Sequence, residues 1–180
     1  MSVAETETPL LPIHIVPDPV LRKVARAVTP ADMEEVRGLI PAMFATMYAA
    51  PGIGLAAPQV GRLLRLVVID LAPEKVLEPI VLINPEIIAA SDETASREEG
   101  CLSLPEQYAE VTRPARVAVR YLDETGVKKE IEGEGLMAAC LQHEIDHLNG
   151  VLFVDYLSAL KRNMLLRKLA KEQKDKAARK

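Results

Sequence analysis

Two histidines lie four residues apart, at His143 and His147, in a segment with helical periodicity from Leu136 to Leu148. On a helix, positions i and i+4 share one face about one turn apart, so both imidazoles can bind one metal ion. Glu144, beside the first histidine, can reach a water on such an ion without binding the metal itself. Read more plainly, the segment is a helix that carries two histidines and ordinary surface charges. The spacing predicts a metal site on a helix that Gly150 terminates.

Two imidazoles leave a catalytic site incomplete, because such sites usually take three protein ligands and keep a fourth position for water. No histidine follows His147, and Asp155, eight residues on, is a poorly placed carboxylate. Cys140 lies on the same helix face, but three ligands in a row on one helix approximate a tetrahedron poorly, so we interpret it as pocket lining or core. The better candidate is Cys101, in an acidic segment at 98–103 that we expect to be a loop between strands. Its plainer interpretation is a small buried hydrophobic residue.

The N-terminal half begins with a predicted helix and a loop. Thr29-Pro30 has the pattern of an N-cap followed by proline at the first helical position, and apolar residues recur at helical spacing up to about Tyr48. Pro41 lies inside this helix and removes a backbone donor, which predicts a kink or break there. Residues 51–61 (PGIGLAAPQVG) are rich in glycine and proline and predict a loop with special backbone geometry.

The middle of the chain has the patterns of strands. Segments 65–71, 79–84 and 115–122 are β-branched or alternating, and the last is followed by Asp123-Glu124-Thr125-Gly126 and then 127–132, a predicted hairpin. A final helix is predicted from about 157 through the tail. Without regular βαβ alternation, this order predicts an α+β fold in which mainly antiparallel sheets surround a central metal-binding helix, with helices at both ends.

Length, charge and hydropathy limit the classes of protein. The chain has 180 residues, of which 49% are hydrophobic, which predicts one domain over 1–180. The first ten residues carry no cation and no apolar run reaches membrane-spanning length, so a cytoplasmic protein with reduced thiols is expected. Residues 161–180 carry nine Lys and Arg against two acidic residues, so the tail has a formal charge of +7 and the remainder −11. A basic tail can meet a polyanion, or it can be a solvated helix face.

Three segments together resemble the signature motifs of the bacterial peptide deformylases: Gly52–Gln59 (GIGLAAPQ), Glu99–Ser103 (EGCLS) and Gln142–Gly150 (QHEIDHLNG). The resemblance covers most of the chain, including the start around Pro17-Asp18-Pro19 and the long C-terminal helix. One departure is Tyr108, at a position where some relatives have arginine. The resemblance therefore does not predict the rim of the substrate pocket or its substrate preference.

The resemblance implies an activity and a set of site residues. The activity is removal of the formyl group from the N-terminal formylmethionine of nascent polypeptides. The metal, one divalent ion, is expected to be Fe²⁺, with Zn²⁺, Ni²⁺ or Co²⁺ as replacements. By position, Cys101, His143 and His147 are the implied metal ligands, Glu144 is the acid and base, and the Gln59 amide with the Leu102 N–H binds the oxyanion. Substrate contacts are implied for Ile53, Gly54, Gly100, Leu136, Ala139 and Cys140, four of which (Ile53, Leu136, Ala139 and Cys140) line a pocket for the methionine side chain. Gly52 and Gly54 agree with this, because a loop that brings its backbone against a peptide needs residues without a Cβ and free to take positive φ.

Two other functions also agree with parts of the sequence. A zinc metallopeptidase of the HExxH class shares the helix but leaves EGCLS and GIGLAAPQ unexplained. A non-catalytic metal-binding or ribosome-associated adaptor would make the basic tail the main functional feature. The resemblance implies that the tail docks near the ribosomal exit tunnel, and neither membrane nor specific DNA binding is expected. Arg113 and Asp146 are expected to pair and brace the metal helix. His14, far from the motifs, is interpreted as an ordinary exposed or packed residue.

Overall fold

The computed structural model describes residues 8–180 and is an α+β arrangement of antiparallel sheets and helices. In this range the helices are α1 (Met33–Ala49), α2 (Gly135–Leu148) and α3 (Ala159–Ala178). The strands are β1 (Gly54–Ala56), β2 (Leu66–Ile69), β3 (Ile80–Ala90), β4 (Thr94–Cys101), β5 (Leu104–Pro114), β6 (Arg116–Leu122) and β7 (Lys128–Glu134). The predicted fold class is confirmed. No helix among these residues is both long enough and apolar enough to cross a membrane.

Two separate sheets flank helix α2. The larger sheet has the strand order β1-β2-β3-β6-β7, and β4 and β5 form a hairpin of their own. The β6–β7 hairpin was predicted, and its register runs from Arg116 opposite Glu134 to Leu122 opposite Lys128, closed by a turn in which Gly126 has φ +85°. Helix α2 packs on β7, β1, β2 and β6 of the larger sheet.

The face of α2 that meets the sheet is apolar. Leu141, Ile145 and Leu148 are buried in one cluster with Val67, Ile69, Leu82, Val117 and Val119 of the sheet. Replacing a fully buried leucine such as Leu141 by alanine typically costs about 2–5 kcal/mol of stability. The packing therefore holds the helix in one orientation, with its two histidines facing the other sheet.

Helix α1 runs without a break through Pro41, so the predicted break is wrong. Pro41 has no N–H to donate to the Arg37 carbonyl. Because both residues are exposed, water can bond that carbonyl instead. The opposite face of α1 buries Val36, Met43 and Met47 in the core. Burial of that face outweighs one missing backbone hydrogen bond.

Two segments predicted as loops contain strands. Within 51–61, residues Gly54–Ala56 form β1, which pairs with Val67–Ile69 of β2, and a 3₁₀ turn follows at Ala57–Val60. The acidic segment at 98–103 is the end of β4 and a tight turn into β5. Neither β4 nor β5 was predicted, because β4 is mostly exposed and polar and β5 contains two prolines. Their hydrogen-bonded pairing, from Thr94 opposite Pro114 to Gly100 opposite Tyr108, overrides these local signals.

Strand β3 is longer than predicted. The predicted strand ends at Asn84, but the observed strand continues through Pro85 to Ala90. Asn84 has φ +50°, and its side chain bonds both the N–H and the carbonyl of Val28, at 2.8 and 2.9 Å. The irregular backbone at Asn84, held by these two hydrogen bonds, lets the strand continue beyond Pro85 with a shift in register against β6.

Candidate active site

Helix α2 presents both histidines of the predicted pair on one buried face. The ring centroids of His143 and His147 lie 5.0 Å apart, and each side chain is almost fully buried. Phe153 stacks on the His143 ring at 6.1 Å. The i, i+4 spacing therefore produces the geometry that was predicted from it.

Cys101, at the end of β4, completes a group of three ligand atoms. Its Sγ lies 3.3 Å from His147 Nε2, and one ligand atom each from Cys101, His143 and His147 all fall within 4.8 Å of one another. The three atoms come from two different elements, the hairpin and the helix. One thiolate sulfur and two imidazole nitrogens suit a borderline divalent ion such as Zn²⁺ or Fe²⁺. The donor set and its compactness therefore fit the metal ion that the sequence implied.

The two alternative ligands lie elsewhere. Asp155 accepts two hydrogen bonds from the Arg22 guanidinium, at 2.6 and 3.0 Å, and one from the Leu152 N–H. Cys140 is buried in the wall of the adjacent cleft and does not belong to the group of three. Burial raises the pKa of the Cys140 thiol well above its ordinary value, which favours the neutral form.

A buried ion-pair network supports the histidines from the side of the hairpin. Arg113 on β5 donates to both carboxylate oxygens of Glu99 on β4, at 2.7 and 2.8 Å, and to Asp146 on α2 at 2.9 Å. The expected pairing of Arg113 with Asp146 is therefore present. Tyr156 adds a hydrogen bond to Asp146, and its ring lies 4.6 Å from the guanidinium carbon of Arg113.

Glu99 in this network determines which nitrogen of His143 faces the ligand group. Its Oε1 lies 2.9 Å from His143 Nδ1, which leaves Nε2 for a metal ion. Burial by itself would raise the pKa of Glu99, but the hydrogen bonds from Arg113 and His143 outweigh it and lower that pKa to about 2. Glu99 is therefore ionised at neutral pH. Sequence reasoning missed this role, although the residue stands two positions before the cysteine within the EGCLS motif.

Glu144 lies on the same helix with its carboxylate buried beside Gly54. A Cβ on Gly54 would come within 2.6 Å of Glu144 Oε1, so only glycine leaves room for this carboxylate. Its other oxygen, Oε2, is buried and has no hydrogen-bond partner among residues 8–180. Burial raises the pKa of Glu144 to about 7. A carboxyl group with such a pKa can both accept and donate a proton near neutral pH.

Gln59 is held in one orientation by the loop and the hairpin. Its Oε1 accepts from the Ala56 N–H at 3.0 Å, and its Nε2 points to Ser103 Oγ at 3.1 Å and Cys101 Sγ at 3.5 Å. The side chain is almost fully buried. The amide donor of Gln59 is therefore directed at the region of the ligand group, and Ser103 is a further polar neighbour that sequence reasoning missed.

An open cleft of about 720 Å³ joins these residues. Its wall includes Gln59, Cys101, Leu102, His143 and Glu144. All six residues that were expected to contact substrate also line it: Ile53, Gly54, Gly100, Leu136, Ala139 and Cys140.

At Gly52 and Gly54 the structure uses the missing Cβ and not the freedom to take positive φ. Neither residue has a positive φ, and a Cβ on Gly52 would lie 2.8 Å from the Leu102 side chain. At Gly100 a Cβ would lie 2.5 Å from the Tyr108 ring, so the ring of Tyr108 covers the glycine backbone at the cleft rim. His14 pairs with Asp18 at 2.7 Å and takes no part in the group of three.

Comparison with known proteins agrees with this geometry. The sequence model of the polypeptide deformylase family matches residues 10–163. A peptide deformylase of Mesorhizobium japonicum is 56% identical over 170 residues, which are 94% of this chain and 96% of that protein. The crystal structure of a peptide deformylase from Legionella pneumophila matches with a TM-score of 0.88 and 51% identity, over 94% of this chain and 98% of that one. A peptide deformylase from Synechococcus elongatus, solved in complex with actinonin, matches with a TM-score of 0.83 and 47% identity, over 91% of this chain and 89% of that one.

These matches cover nearly the whole chain, including the hairpin, the loop before β2 and helix α2, from which the site is built. An HExxH metallopeptidase is not favoured, since it would share the helix alone. The chain belongs to the peptide deformylase family.

Proposed function

We propose that this chain removes the formyl group from the N-terminal formylmethionine of nascent polypeptides and releases formate. The observation that carries the proposal is the meeting of three ligand atoms, those of Cys101, His143 and His147, with the buried carboxylate of Glu144 at one open cleft. We further propose that the whole chain acts as a single catalytic domain. The family is metal-dependent, and the ligand group supplies the place for the ion.

A divalent ion held by the three ligands would supply a Lewis acid and lower the pKa of a bound water. Glu144 performs the proton transfers. Hydrolysis adds water across the formyl C–N bond: the oxygen bonds to the formyl carbon, and the carbon–nitrogen bond then breaks. Glu144 takes the proton that the attacking water loses and delivers it to the departing nitrogen, so the products are formate and a free amino terminus. Its raised pKa, about 7, suits both transfers.

Gln59 and Leu102 stabilise the negative charge that develops on the formyl oxygen. The Gln59 amide is already oriented by Ala56 and Ser103, so it needs little reorganisation when the charge appears. The Leu102 N–H belongs to the turn directly after the ligand Cys101. Removal of one such donor typically costs about 10²- to 10³-fold in rate.

The methionine side chain occupies the apolar part of the cleft. Ile53 and Leu136 are both partly exposed to it, and Ala139 and Cys140 lie one helical turn further along α2. An unbranched thioether suits such a wall, because it has no polar group that would need a partner there. We place Gly54 and Gly100 against the peptide as well, because both line the cleft.

Iron is the metal that we propose for the working enzyme, with zinc, nickel or cobalt as replacements. Ferrous iron and zinc both accept a thiolate with two imidazoles, so the ligand set supports the class of ion rather than one element. A ferrous thiolate site would be sensitive to oxygen. The enzyme should therefore be prepared anaerobically and its metal identified by elemental analysis.

The decisive test is formate release from a formyl-Met peptide by wild type and by Glu144→Gln. The variant keeps the shape of the side chain but cannot carry the proton, so we expect turnover to fall by about 10²- to 10⁴-fold while bound metal is retained. Near wild-type turnover in the variant would contradict the role of Glu144. Cleavage of an internal peptide bond, with no formate, would identify a metallopeptidase instead. Binding of ribosomes without any hydrolysis would identify the adaptor.

We also propose a cytoplasmic location and docking of α3 beside the ribosomal exit tunnel. Between Lys161 and Lys180 the chain has nine cations against two acidic residues, and Leu160 and Met164 are exposed on the helix. Reversing two exposed charges, Lys174→Glu and Lys176→Glu, should weaken cosedimentation with ribosomes most strongly at low salt and leave formate release unchanged. Unchanged cosedimentation at low salt would contradict the docking.

A further inference from the structure

One wall of the cleft is a short segment at the start of β5, residues 105–108. Pro105, Glu106 and Tyr108 line the cleft, whereas Gln107 turns the other way and is only 3% exposed. The segment therefore has a front that faces the substrate cleft and a back on which the polar side chain of Gln107 is buried.

The backbone of this segment has an unusual conformation at its centre. Glu106 has φ +63°, in the left-handed region that residues with a Cβ rarely adopt. Such a conformation persists where surrounding contacts hold it, and it is common at ligand-binding sites. Pairing with β4 holds the two ends of the segment, at Leu104 and Tyr108, and the contacts of Gln107 hold its middle.

Helix α3 supplies the main contact of Gln107. The Nε2 group donates to Glu172 Oε2 at 2.7 Å, with a longer contact of 3.4 Å to the Pro105 carbonyl. The part of α3 that carries Glu172 is held against β5, because Leu169, three residues earlier, is 1% exposed in an apolar cluster with Leu104 and Val111. The cluster also contains Phe153, which stacks on His143, so α3 packs directly behind the active site.

We infer that Gln107 and Glu172 are a positioning pair, through which the C-terminal helix holds the 105–108 wall in the shape that accepts the peptide beyond the methionine. The inference rests on the proposed function and deepens it. Neither residue lies among the metal ligands, Glu144 or Gln59, so the pair acts on peptide binding and leaves the chemical step alone. A hydrogen bond to a carboxylate is stronger than one between neutral groups, which suits it to hold an unfavourable backbone conformation.

The test compares two substrates of different length, formylmethionine alone and formyl-Met-Ala-Ser. In Gln107→Glu two carboxylates would face each other, and we expect KM for the tripeptide to rise by about three- to tenfold, a fraction of what a charged hydrogen bond can contribute. The kcat value for the tripeptide, and both constants for formylmethionine, should stay within about twofold, because the wall touches only the longer substrate.

Exchange of the two side chains provides the rescue. Adding Glu172→Gln to Gln107→Glu restores one donor and one acceptor, so the double variant should regain the wild-type KM for the tripeptide. Asp175→Asn, an exposed change on the same helix, is the matched control and should alter nothing. Equal losses for both substrates, or no rescue in the double variant, would overturn the positioning role.

Calorimetric titration of the tripeptide keeps this inference separate from the proposed function. Each metal-loaded protein is prepared with the additional change Glu144→Gln, so that the tripeptide binds without being hydrolysed during the titration. The dissociation constant should change with the same variants and in the same proportion as KM. A wild-type protein that binds the tripeptide in this pair-dependent way without releasing formate would overturn the proposed function alone. An equal dissociation constant in wild type, Gln107→Glu, the double variant and Asp175→Asn would overturn the positioning pair.

Discussion

Helix α2 and the β4–β5 hairpin each supply three residues to the site, but they differ in how far those residues can be recognised from the local sequence. Helix α2 supplies His143, Glu144 and His147 from five consecutive positions, and its geometry follows from the helical repeat alone. The hairpin supplies Cys101, Glu99 and Arg113, whose contacts to the helix span 33 to 46 residues of sequence. The arrangement of the helix residues can therefore be predicted from local sequence, whereas that of the hairpin residues depends on pairing of the two strands and their contacts with the helix.

The two cysteines provide the largest expected difference between the regions. Cys101→Ala on the hairpin should abolish metal binding and reduce formate release by at least about 10³-fold, because the Lewis acid contributes several kcal/mol to the reaction. Cys140→Ala on the helix should keep the metal, since its sulfur lies outside the group of three ligand atoms. Metal content by elemental analysis and formate release should be measured on both variants. Loss of metal in Cys140→Ala with retention in Cys101→Ala would reverse the assignment.

What could be predicted from the sequence follows the same division. The α1, α2 and α3 helices and the β6–β7 hairpin were all predicted, since each has a local periodicity or turn signal. The β4–β5 hairpin was not, because polar, exposed β4 residues such as Thr94 and Glu98 do not alternate with apolar ones. Cys101 was still identified, first as the missing third ligand and then by resemblance of the motif around it.

Glu99 shows the limit of local reasoning within the site. Nothing in its immediate sequence reveals that its carboxylate bonds both Arg113 and His143, since the two partners lie 14 and 44 residues away. Gly54 shows the same limit: its missing Cβ was expected to let the backbone approach the peptide, but the space that it leaves is filled by Glu144. Distances between strands and helix decide both roles, and they exist only in the folded chain.

Glu99→Gln tests how much the hairpin contributes beyond its sulfur ligand. The amide keeps the size of the side chain but loses the charge that Arg113 and His143 share, so metal affinity or activity should fall by about 10- to 100-fold. Metal affinity can be measured by competition with a chelator. Glu98→Gln, the exposed neighbour on the same strand, is the control and should keep the wild-type metal affinity, because Glu98 does not contact the three ligand residues. Equal metal affinity in the two variants would mean that the orientation of His143 depends on the helix alone.

Gly38 in helix α1 gives the smallest effect and the simplest case, a position where local propensity alone should decide. Gly38 is exposed in the helix interior, and a Cβ there would meet no atom within 4 Å, in contrast to Gly54, where it would collide with Glu144. Gly38→Ala should therefore stabilise the protein by about 0.5–1 kcal/mol, because alanine loses less backbone entropy on folding. The melting temperature should rise by up to about 2–4 °C at this chain length, with formate release unchanged. A fall in stability would mean that even this exposed helix position depends on long-range contacts, as the hairpin does.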